Sequence, residues 1–175
     1  MNLTQIARKT LEAYFENKDF QPDEKTKKNY NKKRACFVTL TKKGELRGCI
    51  GILIAHQEIW KDVKENALNA SLNDPRFLAL RKEELKDIKI EISVLSVPKK
   101  LEFKNEKELL AKINKKMGLI LKKGFCSSTF LPQVWEQIPD KEEFLEHLSM
   151  KAGLDKNGWK DAKFWVYNVE KEEEK

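Results

Sequence analysis

The sequence predicts an α+β fold, a mostly antiparallel β-sheet with packed helices. Three observations carry this. Strand-like segments come in adjacent pairs joined by short glycine-containing turns, as antiparallel neighbours require. Amphipathic helical segments lie between the pairs, without the strict strand–helix alternation of a doubly wound sheet. Neither G-x-G-x-x-G nor G-x-x-x-x-G-K-[ST] occurs, so no phosphate loop marks a nucleotide fold.

The elements follow from periodicity. Leu3, Ile6, Ala7, Leu11, Tyr14 and Phe15 recur at helical spacing and predict a helix over 3–16. Residues 17–33, with Pro22, read as a charged connection. Ala35 to Thr41 is β-branched and apolar, a strand, and Glu45 to Ile54 is its return after a turn at Lys42-Lys43-Gly44. Ile59, Trp60, Val63, Ala67, Ala70 and Leu72 give a second helix over 57–72, broken by Asn73-Asp74-Pro75. Ile88, Ile90, Ile92 and Val94 alternate with Lys89, Glu91 and Ser93, a half-buried strand stopped by Pro98. Glu106 to Ile113 reads as a short helix, and 118–122 and 125–131 as strands around Lys123-Gly124. Asp140 with Glu143 three residues on is a helix start, and Gly153 its stop. Phe164 to Val169 is a last strand, followed by a charged tail, Glu170 to Lys175, expected to fray.

The chain has 175 residues, 40% hydrophobic and 36% charged, with a net charge of +7. It is long enough for a core of its own. No apolar run approaches the roughly 18 residues a bilayer span needs, and the N-terminus lacks a signal peptide's apolar stretch. A cytoplasmic location is expected. Cys36, Cys49 and Cys126 are odd in number, far apart and without a C-x-x-C pair, against a disulfide framework or a zinc knuckle. With His56 and His147 the only histidines, no metal and no cofactor are expected. The positive charge is nearly all lysine, scattered and interleaved with glutamate, which reads as a solvated surface rather than a phosphate track. Its densest stretch, Lys25 to Arg34, keeps nucleic-acid binding as an alternative only.

The unusual segment is Leu46-Arg47-Gly48-Cys49-Ile50-Gly51. Two glycines weaken a strand and make sense at a bulge or where something approaches the backbone closely. In a regular strand Arg47 and Cys49 share a face, and a guanidinium beside a thiol favours the thiolate. Cys49 is therefore the candidate reactive or contacting group, with the glycines leaving room for a substrate. A three-residue loop at Lys42-Lys43-Gly44, which Gly44 favours, would place Phe37 opposite Cys49 and Thr39 opposite Arg47; a two-residue loop would place Cys36 opposite Cys49. Arginine is rare among the lysines, so Arg47 and Arg76 suggest bidentate contacts. Asp74 and Arg76 flank Pro75 and are placed to clamp each other or a ligand; an Asx-type turn is the plainer role for Asp74. Glu91, on the polar side of its strand, is a candidate acid–base group or partner for Arg47. Thr129, Pro132 and Gln133 sit at a strand exit where ligand-facing groups are common.

Taken together, Phe37-Val38-Thr39-Leu40, Gly44-Glu45-Leu46-Arg47-Gly48-Cys49-Ile50-Gly51, Asn73-Asp74-Pro75-Arg76-Phe77 and Ile90-Glu91-Ile92-Ser93-Val94-Leu95 resemble the AMMECR domain family. Gly118-Leu119-Ile120-Leu121, Thr129-Phe130-Leu131-Pro132-Gln133-Val134-Trp135 and Lys151-Ala152-Gly153-Leu154 continue the match, so the resemblance covers essentially residues 1–175 as a single domain. One departure is Phe125-Cys126-Ser127-Ser128, where the family more often has glycine and basic residues. The resemblance implies a larger and a smaller lobe with a cleft between. It implies the protein A type of the AmmeMemoRadiSam system, with a Memo-like protein and a radical SAM protein as companions. The residues the family shares fall here on Arg47, Gly48, Cys49, Gly51, Asp74, Arg76, Glu91 and Gln133. The leading functional expectation is binding of a small molecule or peptide at the Leu46–Gly51 strand. A cysteine-centred enzyme is its stronger form, and a non-catalytic adaptor the other alternative.

Overall fold

In the computed structural model, which describes residues 1–175, the chain forms α1 (Leu3–Phe15), α2 (Glu24–Asn29), β1 (Ala35–Lys42), β2 (Glu45–Gly51), α3 (Ile59–Leu72), β3 (Ile88–Leu95), β4 (Lys99–Leu101), α4 (Glu106–Lys112), β5 (Gly118–Lys123), β6 (Cys126–Phe130), α5 (Lys141–Lys151), β7 (Lys163–Tyr167) and β8 (Val169–Glu173). The fold is α+β with two four-stranded antiparallel sheets. The chain divides into two compact units, Met1–Leu95 with Glu170–Lys175, and Ser96–Val169.

In the first unit the strand order is β2-β1-β3-β8. α1 starts where the sequence predicts because Asn2 accepts from the Gln5 N–H at 2.9 Å and Gln5 returns the bond at 3.0 Å. Its buried stripe Leu3, Ile6, Ala7 and Leu11 joins Val63 and Ala67 of α3 against Val38, Leu40, Ile90 and Ile92. Strand alternation thus gives the sheet a helix-packed face, and a second face that carries Thr39, Cys49 and Glu91.

The structure holds elements that the sequence reading did not give. The stretch expected as a charged connection contains α2, started by Asp23, which accepts from the Thr26 N–H at 2.8 Å. The tail expected to fray is strand β8 on the sheet. Beyond it, Glu174 accepts from Arg8 Nε at 2.8 Å, and its N–H donates to the Ile90 carbonyl at 2.9 Å.

In the second unit the order is β4-β7-β5-β6. Leu119, Leu121 and Phe164 of its sheet pack with Leu109 of α4 and Phe144, Leu145 and Leu148 of α5. Trp135 stacks on Phe144 with ring centroids 3.6 Å apart. Asp140 caps α5 by accepting from the Glu143 N–H at 2.9 Å, and Gly153 leaves the helix at φ +78°. No helix of the molecule is long and apolar enough to cross a membrane.

Candidate functional site

The β1–β2 hairpin decides where the candidate residues go. Lys42 pairs with Glu45, so the loop is the two residues Lys43 and Gly44, at φ +53° and +84°. Two positive φ values suit the twist of a tight hairpin, which is why the expected three-residue loop does not form. Further along, Leu40 faces Gly48 while Thr41 faces Leu46. Arg47 is therefore an extra residue in β2, a β-bulge. Thr39, not Phe37, stands opposite Cys49, and Arg47 stands opposite nothing.

The bulge separates the two side chains that regular alternation would have joined. Arg47 turns to Glu84, donating from Nε at 3.2 Å and from Nη2 at 3.0 Å. Glu84 also accepts from Lys42 Nζ at 2.9 Å and from the Arg81 N–H at 3.0 Å. The Arg47 guanidinium, with these further donors, pulls the Glu84 carboxyl down to about 2. Arg47 thus has Glu84 as its partner, not Glu91. Glu91 accepts from Lys171 Nζ at 3.2 Å and from Ser93 Oγ at 3.3 Å.

Cys49 lies instead in a row with Thr39 and Glu91, residues paired across β2, β1 and β3. Its Sγ is 3.2 Å from Thr39 Oγ1, and the residue is partly exposed. Its main chain is gripped from the open edge of β2. The Cys49 N–H donates to Asp74 Oδ2 at 2.8 Å, and the Cys49 carbonyl accepts from Arg76 Nη2 at 3.2 Å. Asp74 and Arg76 so supply one acceptor and one donor, as a neighbouring strand would. They also hold each other, Nη2 to Oδ2 at 2.7 Å and Nε to Oδ1 at 3.0 Å, while the Arg76 N–H closes the Asx turn on Oδ1 at 3.1 Å. The Arg76 guanidinium holds the buried Asp74 carboxyl well below the usual carboxylate range. Asp74 in turn raises Arg76.

Both glycines of the strand are required by the chain itself. A Cβ on Gly48 would stand 2.1 Å from the Ala70 carbonyl oxygen of α3, and one on Gly51 would stand 2.3 Å from the Cys36 carbonyl oxygen and 2.4 Å from the Phe37 ring. The space above them is filled by protein, which corrects the expectation that they leave room for a substrate.

Among the remaining candidates, Gln133 belongs to the second unit, on the 3₁₀ turn Pro132–Glu136, with its Oε1 buried and unbonded. Thr129 there spends its hydroxyl on the Leu119 carbonyl at 2.7 Å. Cys36 is buried, and burial pushes its thiol well up. No group of three or more His, Cys, Asp or Glu side chains is placed to hold a metal ion. The sequence reading missed Thr39 as the neighbour of Cys49 and Glu84 as the anchor of Arg47. Only the register could have shown the first, and no pattern singled out Glu84 among so many acidic residues.

The AMMECR1 family model matches residues 4–172. A protein of Nanoarchaeum equitans, NEQ441, is 43% identical over 173 residues, covering 97% of this chain and 96% of its own. A Methanosarcina barkeri protein, Mbar_A1807, is 39% identical over 88% of this chain and 79% of its own. Among solved structures, that of an uncharacterised Pyrococcus horikoshii protein, PH0010, superposes with a TM-score of 0.88 at 33% identity, covering 99% of this chain and 90% of that one.

Proposed function

Because the chain belongs to the AMMECR1 family, we propose that it binds a small molecule or a peptide at the surface around Cys49, with Cys49 the group that meets it. One observation supports this most. Cys49 is a partly exposed residue whose sulfur lies 3.2 Å from the Thr39 hydroxyl, while Asp74 and Arg76 fix its main chain on both sides. A side chain held that firmly at a sheet edge is pre-organised for contact. In this reading Arg47, Gly48, Gly51, Asp74 and Arg76 shape and hold the strand. In its stronger form the site is an enzyme's, with Cys49 as nucleophile and Glu91 as the acid–base group. The companions would be the Memo-like and radical SAM proteins that the family resemblance implies.

Thiol labelling tests the reading. Iodoacetamide at neutral pH should modify Cys49 faster than Cys126, and Cys36 slowest of the three. Equal, slow labelling of all three cysteines removes the reactive form of the proposal.

A further inference from the structure

The geometry points to a doubly charged anionic group on an apolar body, a phosphomonoester or a dicarboxylate, as the ligand of a depression beside the Arg47 bulge. This rests on the reading of β2 as a ligand-binding strand and names the class of ligand. The depression encloses about 550 Å³, within the roughly 300–1,000 Å³ usual for small-molecule sites. Three of the five arginines in this lysine-rich chain line it, Arg47, Arg76 and Arg81, against one carboxylate, Glu84. Adding Lys42, which rests on Glu84, and Asp74, which rests on Arg76, leaves the surplus at two positive charges.

The arginines are arranged to receive something. Arg47 and Arg76 each spend Nε and Nη2 inside the chain, and Nη1 of neither makes a hydrogen bond within it. Their planar forks are therefore fixed in place with a donor to spare. Arg81 reaches Glu84 only at 4.0 Å, with its side chain 80% exposed. Between these cations the depression is lined by Phe77 and Leu78, and Leu78 is 89% exposed. An apolar surface among guanidiniums does nothing for the core but suits a ligand with an apolar part.

Chemical-shift titration of the whole chain tests this with phenyl phosphate and phenylmalonate. Inorganic phosphate, malonate and phenol serve as the separated parts. At least one of the two probes should bind about tenfold more tightly than its parts, with shifts at Arg47 and along 76–81; which one binds decides between phosphoryl and dicarboxylate chemistry. Arg81→Gln and Leu78→Ser alter exposed side chains and leave the fold intact. Each should weaken the bound probe by about tenfold, while Lys25→Gln, the same charge loss on another exposed surface of the first unit, should not. The proposal is overturned if neither probe binds, if the parts bind as well as the whole, or if Lys25→Gln weakens binding as much as Arg81→Gln. Cys49 labelling separates the two readings. Fast labelling in a protein that takes no anion leaves the proposed function standing and ends this inference. Anion binding in a protein whose Cys49 labels slowly ends the reactive-cysteine form alone.

Discussion

The β1–β2 and β5–β6 hairpins close with loops of the same length, yet they treat their returning strands differently. In β5–β6, Lys123 pairs with Cys126 across Gly124-Phe125, and the register runs unbroken to Leu119 and Phe130. In β1–β2 the register slips at Arg47. Each returning strand carries a cysteine, Cys126 in one and Cys49 in the other. The regular hairpin leaves β6 to pack by simple alternation. The bulged one sends Arg47 to Glu84, lets α3 come to backbone distance of Gly48, and leaves Cys49 beside Thr39. A single inserted residue thus re-aims the side chains on either side of it, which is what bulges do near functional surfaces.

The sharpest way to break the contrast is to add one methyl group to each hairpin. Gly48→Ala puts a Cβ where the Ala70 carbonyl oxygen already is, at 2.1 Å. Backbone must move, and the expected loss is roughly 3 kcal/mol or more by denaturant unfolding. Gly124→Ala meets nothing within 4 Å and is opposed only by its φ of +58°, at a cost of about 1 kcal/mol. Equal losses at the two positions would mean that α3 does not rest on β2 as described.

A smaller effect tests what pins the bulge. Glu84 is held ionised by Arg47 and Lys42, its carboxyl lowered from 4.5 to about 2. The folded state therefore favours the ionised form more than the unfolded chain does. That contribution is complete above the unfolded value and is lost as pH falls through the folded one, so stability should decline between pH 4.5 and about 2. Glu84→Gln should cost about 2 kcal/mol at neutral pH, since it leaves Arg47 half-buried without a counter-charge. It should also flatten the acid limb of the stability–pH curve. An unchanged acid limb would assign that decline to other carboxylates, Asp74 first among them, whose shift has the same sign.

These residues also show what the sequence could tell. Helices with an apolar stripe and a cap, such as α1 and α5, were legible because burial and capping are local signals. β8 was not, because Glu170 to Glu173 has no apolar alternation; its strand character comes from pairing with the sheet, and Glu174 just beyond is held by Arg8. α2 has no apolar stripe either and shows only its Asp23 cap. At the site, the strand glycines signalled a bulge or a close approach, and the structure has a bulge at Arg47 and a close approach at both glycines. They could not say that the group approaching Gly48 is α3 of the same chain. The Asp74-Pro75-Arg76 turn reads as a clamp on itself or on a ligand, with an Asx turn the plainer role for Asp74; the structure has the Asx turn and the mutual contact. That it also grips Cys49 depends on tertiary docking, which no local pattern encodes.

The smallest expected effect returns to the loop itself. Lys43 takes φ +53° at the position where the other hairpin has Gly124 at +58°. A lysine there bears a Cβ penalty that asparagine bears less, because its short side chain bonds the local backbone in left-handed geometry. Lys43→Asn should therefore stabilise the protein by roughly 0.5 kcal/mol. Glycine in its place should gain less, because it also loosens the unfolded chain. The readout is the urea midpoint at constant slope. Cys49 labelling should not change, because the Lys42–Glu45 pairing and the bulge beyond it are untouched. If labelling shifts with the loop residue, the turn rather than Arg47 sets the register, and the bulge follows from the loop.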